Sequence, residues 1–281
     1  MDATTEIPHV SVIIPTLDGH RGGLVPRLLE TVRAQRFTDY EVLLIKAVSP
    51  QGKAINQGAA QARGEVLIIL DDDSTLSDDF VFERLLETLA SDPTIGMAGA
   101  SIVVAAEAPP FEQRAARQFP RFNTPVVEEV TDSDLACHGC CAIPKAVFDA
   151  LGGEREDILR GLDPDFRVRL REAGYRVVLS PQTRIHHPLP SGWRKLIRVF
   201  FRNGFGSAYA RKFQPESVYE THESLHEANF RPKTSLAYRM GRFPMRLMKA
   251  ALCGQWMRFA AYCGYGAGYV WGWLTAREMS S

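Results

Sequence analysis

The stretch GKAINQGAAQARGEVLIILDDDS, residues 52–74, decides how the chain is expected to fold. Its first part, Ala54 to Ala62, predicts a short helix that Gly64 closes. Val66 to Leu70 (VLIIL) is a continuous run of large aliphatic residues, which predicts a buried strand. This strand runs directly into three acidic residues, Asp71, Asp72 and Asp73. The segment therefore predicts a helix and a strand that end in adjacent carboxylates.

The residues before this stretch have the same alternation. Val10 to Pro15 (VSVIIP) predicts another buried strand, and a glycine-rich turn follows it. Leu24, Leu28 and Val32 then mark one apolar face of a helix. Tyr40 to Ile45 (YEVLLI) predicts the next strand. Strands that alternate with helices imply right-handed crossovers, so we predict an α/β fold whose mostly parallel central sheet is flanked by helices.

The residues after the acidic triplet are less regular. Asp79 to Ala90 predicts a helix, whereas residues 105–130 carry four prolines without a clear period and predict a loop. Asp163 and Pro164 predict the start of a further helix, because Asp is a good N-cap and Pro suits the first helical position. Arg176 to Leu179 predicts a late strand. We expect the α/β domain to span residues 1–190 and a helical extension to span residues 191–281.

Composition places the chain among globular proteins. Of its 281 residues 45% are hydrophobic and 23% are charged, so collagen-like and mainly disordered classes are excluded. The formal net charge is zero, but residues 1–183 carry a net −10 and residues 184–281 a net +10. An acidic domain suits a divalent metal, whereas a basic extension suits phosphates, anionic lipid or nucleic acid.

The cysteines indicate a reducing environment. Their number is five, and the start MDATTEIPHV lacks the regions of a signal peptide, so we expect a cytoplasmic protein. The cluster CHGCC offers Cys137, His138 and Cys140 as zinc ligands. A structural zinc site needs a second ligand pair that is not found at the usual spacing, so buried thiols are the favoured interpretation.

The three adjacent carboxylates, Asp71 to Asp73, are expected at a ligand site. Ligands of open α/β sheets bind beyond the carboxyl ends of the strands, and clustered like charges are costly without a compensating cation. Carboxylate oxygens are the ligands that Mg²⁺ and Mn²⁺ prefer. The alternative is that the triplet only caps the next helix, as Asp commonly does.

The series of motifs from residue 8 to about residue 190 resembles glycosyltransferase family 2. The motifs are VSVIIPT, then GKAINQGAAQARGEVLIILDDDS, and then GGEREDILRGLDPDFRVRLREAGYRVVLSPQTRIHH. The resemblance implies a GT-A fold, a nucleotide-sugar donor, a divalent metal (Mn²⁺ or Mg²⁺) and transfer with inversion at the anomeric carbon. A UDP-sugar is the expected donor. Many relatives carry a DDGS-like run where this chain reads KAVSPQG, residues 46–52, so GDP and dTDP stay open.

The resemblance also implies roles for single residues. Asp71 and Asp73 resemble the DxD pair of the family, in which Asp71 would face the ribose and the metal and Asp73 would hold the metal. Asp72 is their neighbour beside the donor, either solvated or capping a helix. The other candidates for donor binding are Pro15, Thr16 and Lys53, the last with an ordinary surface lysine as the alternative.

Asp163 resembles the catalytic base of the family's Glu-Asp segment, although this chain has Leu162 in the place of the Glu. The alternative is that Asp163 only caps the helix. His187 resembles the histidine that completes the metal site in part of the family. Its neighbour His186 competes for that role, because successive side chains of a strand point to opposite faces.

The predicted extension, residues 191–281, bears on whether the protein works at a membrane. It is basic and aromatic, and the uncharged stretch from Phe259 to Ala276 carries Gly264, Gly268 and Gly272 at four-residue spacing. This row permits close helix contact, either within the chain or in a homodimer. A basic helix followed by Tyr and Trp suits an anionic membrane surface, and packing on the catalytic domain is the alternative. A membrane position would favour a lipid-linked or cell-surface glycan as the acceptor, and no nucleic acid partner is expected.

Two other functions remain open at this stage. A sugar nucleotidyltransferase would share the sheet and the metal, but the chain lacks the basic, glycine-rich loop that such enzymes place after the first strand. A degenerate glycosyltransferase acting as a membrane-peripheral binding subunit is the non-enzymatic alternative. Two departures from the family make that alternative possible: Leu162 in the place of the Glu, and the lack of an Asp that would recognise the base in residues 46–52.

Overall fold

A computed structural model describes residues 7–218 and 236–278 of the chain. In these ranges the strands are β1 (Val10–Thr16), β2 (Tyr40–Lys46), β3 (Val66–Leu70), β4 (Thr75–Leu76), β5 (Ile95–Val103), β6 (Thr131–Asp132), β7 (Cys140–Pro144) and β8 (Arg176–His186). The helices are α1 (Leu24–Arg33), α2 (Gln51–Gln61), α3 (Val81–Ser91), α4 (Pro110–Gln118), α5 (Lys145–Ala150), α6 (Leu162–Glu172), α7 (Trp193–Phe213), α8 (Leu236–Leu252) and α9 (Trp256–Thr275).

The strands form one mixed sheet in the order β2-β1-β3-β7-β5-β8-β4, with β6 paired to β8. The pairs β1–β2, β1–β3 and β5–β8 are parallel. The other pairs are antiparallel, so the sheet is less parallel than the sequence predicts. The reason is that the chain enters β7 from the edge at which β3 ends, rather than through a helical crossover to the opposite edge.

This topology brings several strand ends to one edge of the sheet. Because β7 is antiparallel to both β3 and β5, those two strands run in the same direction, as do β1 and β8. The carboxyl ends of β1, β3, β5 and β8 therefore share an edge with the amino end of β7. Residues just before β7 consequently meet residues just after β3 and β8.

The sheet is covered by helices on both faces. Side chains alternate along β3, so Leu67 and Ile69 pack with α2, α5 and α6, whereas Ile68 packs with α1 and α3. Phe166 of α6 and Phe82 of α3 are fully buried in these two layers. Aliphatic burial on both faces accounts for the unbroken apolar runs in the sequence.

Two local predictions were wrong. Residues 105–130 contain a helix, α4, whose sequence has few large apolar residues; it buries Ala115 against Leu196 and Met257. Helix α6 begins at Leu162 with Gly161 as its N-cap residue, so Asp163 lies inside the first turn and is not the cap. The Asp163 carboxylate instead accepts a hydrogen bond from a residue outside the helix, as described below.

The C-terminal helices pack closely on one another. The buried residues Gly264, Gly268 and Gly272 of α9 face α7, and a Cβ at Gly268 would lie 2.7 Å from the carbonyl carbon of Phe201. The glycine row is thus used for contact within the chain. No helix in residues 7–218 and 236–278 is long and apolar enough to cross a bilayer. The predicted extension includes positions 219–235 and 279–281, which lie outside the described residues.

Candidate functional site

The acidic triplet lies at the shared edge of the sheet. Asp71 follows β3, and the chain turns there because the Ser74 amide donates to the Asp71 carbonyl over 3.0 Å and the Ser74 hydroxyl donates to the Gly139 carbonyl over 2.8 Å. Asp72 and Asp73 are almost fully buried. The N-cap residue of the next helix, α3, is Phe80, so the triplet does not cap that helix. The capping alternative for these carboxylates is therefore wrong.

His187 joins Asp71 and Asp73. The antiparallel pairing of β4 with β8 sets Thr75 opposite His186, which brings the next residue, His187, beside the triplet. Its Nε2 atom lies 3.1 Å from Asp73 Oδ1 and 4.0 Å from Asp71 Oδ2. The structure therefore brings together three of the residues that the sequence singled out.

The two neighbouring histidines differ in what they contact. His186 has its Nδ1 atom 3.2 Å from the Val103 carbonyl, on β5. The Nδ1 atom of His187 lies 3.3 Å from the Pro188 carbonyl. A proton on this Nδ1 donates to the Pro188 carbonyl and leaves the Nε2 lone pair directed at the carboxylates, which is the arrangement usual for a metal-binding histidine.

The ionisation of this cluster reflects burial and mutual charge. Burial raises the pKa of Asp71, and the negative charges of Asp73 and Asp163 act in the same direction. Burial also favours a higher pKa for Asp73. The hydrogen bond and charge of His187, together with the charge of Arg21, outweigh burial and lower the pKa of this carboxyl. Burial disfavours the charged form of His187, yet Asp73 and Asp71 raise its pKa overall. Without a metal, the two carboxylates thus favour the protonated form of His187.

These three side chains fit a divalent metal. One ligand atom from each of Asp71, Asp73 and His187 lies within 4.8 Å of the others. Among residues 7–218 and 236–278, these three form the group of His, Cys, Asp or Glu side chains whose spacing could hold a metal ion. Two carboxylate oxygens and one imidazole nitrogen form a donor set suited to Mn²⁺. The cluster meets the chemical requirement for such a site.

A loop after β1 places a cation against the triplet. The Asp18 carboxylate accepts hydrogen bonds from the backbone amides of His20 (2.8 Å) and Arg21 (2.7 Å). Arg21 has a φ of 43°, an uncommon conformation for a residue other than glycine. Its guanidinium forms ion pairs with Asp72 and Asp73. The turn thus holds a positive charge where a bound cation would compensate the same carboxylates.

Asp163 lies in the first turn of α6, beside His138 at the amino end of β7. Its Oδ1 atom accepts a hydrogen bond of 2.6 Å from the backbone amide of His138, and its side chain stays 34% exposed. Burial acts to raise its pKa, but the charges of His138 and Arg167 lower it below the usual value. Asp163 is therefore an ionised carboxylate with access to solvent, in the electrostatic field of Asp71.

The remaining candidates lie at the same edge. Pro15 and Thr16 end β1, and the Thr16 hydroxyl accepts a hydrogen bond of 3.2 Å from the Gly19 amide. Lys53 is exposed in the first turn of α2. Gln51, two residues earlier, donates to Asp71 over 2.8 Å.

Sequence reasoning missed four residues of this edge, Gln51, Arg21, His138 as a neighbour of Asp163, and Glu154. Gln51 lies in the unusual KAVSPQG segment and could have been flagged there. The others carry no local signal, because their roles depend on strand pairing. In the CHGCC cluster, Cys140 and Cys141 are buried, and the His138 ring faces the carboxylates of Glu154 and Asp163.

Comparison with known sequences finds a family match over part of the chain. Residues 48–152 match the model "Glycosyl transferase family 2". The chain is also 30% identical over 224 aligned residues to the O-antigen biosynthesis protein RfbC of Myxococcus xanthus, an alignment that covers 64% of this chain. The chain spans 17% of the length of that relative.

Comparison with solved structures identifies the fold. A mannosyltransferase from Pyrobaculum calidifontis in complex with GDP-Man and Mn²⁺ has a TM-score of 0.57 at 18% identity, with 95% of this chain and 88% of that chain covered. GalNAc-T7 with UDP, GalNAc and Mn²⁺ has a TM-score of 0.52 at 16% identity, covering 75% and 52%. The predicted GT-A fold with a C-terminal helical region is confirmed, and the predicted resemblance to family 2 is found over residues 48–152.

Proposed function

We propose that this chain, which carries a glycosyltransferase family 2 segment, transfers a sugar from a nucleoside-diphosphate sugar to a hydroxyl acceptor with inversion at the anomeric carbon. The observation that carries the proposal is the Asp71, Asp73 and His187 cluster at the carboxyl edge of the sheet. Open α/β sheets bind their ligands at this edge. The ionised Asp163 at the same edge supplies the second requirement, a proton acceptor.

Asp163 is the base in this proposal. As the acceptor oxygen forms its bond to the anomeric carbon, the bond from that carbon to the diphosphate oxygen breaks and the acceptor hydroxyl proton passes to Asp163. A base must be ionised before the reaction and must be within reach of the hydroxyl. The lowered pKa of Asp163 supports the first condition, and its exposed fraction of 34% leaves the carboxylate accessible to a hydroxyl.

The donor is held at the acidic cluster. Asp71, Asp73 and His187 would hold the divalent metal, which supplies positive charge to the leaving diphosphate. Arg21, placed against the same carboxylates, provides a further cation, and Pro15, Thr16 and Lys53 would contact the nucleotide. Solved structures of similar fold contain GDP-Man or UDP with Mn²⁺, so both nucleotides are candidates for the donor.

The test is a donor screen with full-length protein. UDP-, GDP- and dTDP-sugars are incubated with Mn²⁺, with and without glycan acceptors, and release of the nucleoside diphosphate is measured. We expect release with one nucleotide class, loss of release in EDTA, and a reduction on the order of a hundredfold or more in Asp163→Asn. The configuration of the product at the anomeric carbon, read by NMR, reports inversion.

The outcomes separate the alternatives. Release of pyrophosphate in place of nucleoside diphosphate would identify a nucleotidyltransferase. Tight nucleotide binding without any turnover would identify a binding subunit. Full activity in EDTA would contradict the metal role of Asp73, and wild-type turnover in a folded Asp163→Asn protein would contradict the role of Asp163 as the base.

The acceptor we propose is a lipid-linked or cell-surface glycan, reached at the cytoplasmic face of a membrane. Exposed Met245, Met248 and Leu252 of α8 lie beside the exposed cations Arg242 and Arg246. On α9, Trp256 and Trp271 are also more than half exposed. Such a surface suits an anionic lipid headgroup layer. Under this proposal residues 1–190 are the catalytic domain and residues 191–281 bring it to the acceptor.

Flotation with anionic liposomes tests this part separately. We expect the full-length protein to float at low salt and to be released at high salt, since each Arg contributes about 1 kcal/mol near an anionic surface. The double substitution Arg242→Gln and Arg246→Gln should weaken flotation, whereas the matched change of Arg27 and Arg33 on α1 should not. Equal flotation of both variants would contradict the proposed surface.

A further inference from the structure

His138 is a buried histidine held between two carboxylates. It lies just before β7, at the edge that carries the candidate site, and is 2% exposed. Its Nε2 atom is 2.9 Å from Glu154 Oε1, and its Nδ1 atom is 3.1 Å from Asp163 Oδ1. Its ring also packs against Phe166 of α6, with centroids 6.1 Å apart.

The two nearby carboxylates favour a proton on each ring nitrogen. A neutral imidazole carries one N–H group and one lone pair, so one of the two carboxylates would face a lone pair. An imidazolium instead carries a positive charge that attracts both carboxylates. The His138–Glu154 pair thus behaves as a buried ion pair whose positive partner also faces Asp163.

Glu154 is held rigidly in place. Its amide donates to Asn56 Oδ1 over 2.8 Å, and its carbonyl accepts from Asn56 Nδ2 over 2.9 Å, so an α2 side chain fixes both of its backbone groups. The preceding Gly153 has a φ of +71°, and a Cβ there would lie 2.6 Å from Asn56 Oδ1. Arg169 of α6 lies 3.7 Å from the second Glu154 oxygen. A fixed, buried carboxylate therefore stands behind the His138 ring.

We propose that His138 and Glu154 are positioning residues for Asp163: Glu154 keeps the His138 ring doubly protonated, and this ring orients the Asp163 carboxylate and keeps it ionised. The proposal rests on the proposed role of Asp163 as the base. His138 gives up no proton in the reaction; the acceptor proton stays on Asp163 until it leaves to solvent. The backbone amide of His138 adds the second contact to the same Asp163 oxygen.

The charges around the ring are consistent with this assignment. Burial acts to lower the pKa of His138, but Glu154 and Asp163, with a smaller effect of Asp71, raise it to about 9. Arg169 faces Glu154, while Arg167 and Arg121 act on Asp163. Cys137, the neighbour of His138, stays a thiol because burial raises its pKa to about 12. At neutral pH the cluster is therefore expected to hold an imidazolium.

The experiment measures the His138 titration directly. In full-length protein with labelled histidine, NMR of the ring nitrogens gives the pKa of His138 without any substrate. We expect protonation to persist through neutral pH, and a fall of at least one pH unit in Glu154→Gln and in Asp163→Asn. The matched control is Glu156→Gln, which removes an exposed carboxylate that contacts the same Asn56 and should leave the titration unchanged. A neutral His138 ring at pH 7 in the wild-type protein would overturn the proposal.

The pH profile of kcat/KM separates positioning from mere structural support. In Glu154→Gln the decline of kcat/KM at alkaline pH should move to lower pH, together with the titration of His138. In His138→Asn the acid decline should move up by about one pH unit, because Asp163 loses a neighbouring positive charge and protonates more easily. A structural role would lower kcat/KM by one factor at all pH values, and that result would refute the inference.

The same data distinguish this inference from the proposed function. Wild-type turnover in Asp163→Asn would remove the proposed base, whatever the His138 titration shows. Loss of turnover in Asp163→Asn together with an unchanged profile in both Glu154→Gln and His138→Asn would leave the base in place and reject the positioning pair.

Discussion

Replacement of Gly268 by alanine should separate α9 from α7. A Cβ at this position would lie 2.7 Å from the carbonyl carbon and 2.9 Å from the Cα of Phe201, and closer still to the Phe201 carbonyl oxygen. Ordinary contact begins near 3.4 Å, so the helices must move apart by more than half an ångström. The obstructing atoms are backbone, which no side-chain rotation can relieve.

The expected cost follows from overpacking. Added methyl groups in packed interfaces destabilise by about 1–3 kcal/mol, and the helix propensity of alanine returns at most about 1 kcal/mol. A domain of this size loses roughly 2–4 °C in Tm for each kcal/mol. We expect the Gly268→Ala protein to melt several degrees lower, as measured by differential scanning calorimetry.

The same helix provides a graded control series. At Gly264 and Gly272 a Cβ would lie 3.0 Å from the carbonyl oxygens of Ile197 and Phe205, so their alanine variants should lose less stability. At Gly266 the nearest atom is 3.0 Å away at the end of the Phe243 ring, which can shift. An unchanged Tm in Gly268→Ala, or an equal loss in Gly266→Ala, would refute the close packing of α7 on α9.

Three further predictions concern the site. In Asp73→Asn, Mn²⁺ should bind at least tenfold more weakly by calorimetry while the Tm stays within a few degrees, because one charged ligand is lost; equal affinity would exclude Asp73 as a ligand. In Arg21→Ala, Mn²⁺ should bind severalfold more tightly without nucleotide, because a competing cation leaves Asp72 and Asp73; weaker binding would contradict this competition. The raised pKa of His138, about 9, should stabilise the fold fully below about pH 6.5 and lose this contribution as the pH rises through 9. The free energy of unfolding, measured in urea at both ends of this pH range, should change by roughly 3 kcal/mol more in wild type than in His138→Asn. An equal change in the two proteins would refute the ion pair.

Local patterns in the sequence were sufficient for the fold class and for part of the site. The aliphatic run of β3 is buried whatever its partners, and a strand that enters three carboxylates indicates a cation at its end. The alternation of strands and helices over the first 70 residues predicts the parallel β2-β1-β3 half of the sheet. Asp71, Asp73 and His187 could be named in advance through the motifs that resemble the family.

Partners far apart in the sequence depended on the tertiary structure. The antiparallel entry of β7 brings His138 to Asp163 and Glu154, and the β4–β8 register selects His187 over His186 for the acidic cluster. The glycine row permitted either a dimer or an internal contact, and the approach of α7 fixed the latter. Residue periodicity records which face of an element is apolar, whereas ion pairs across the sheet depend on strand direction and register. A one-residue change in register would reverse which side chains meet, and no local pattern encodes that choice.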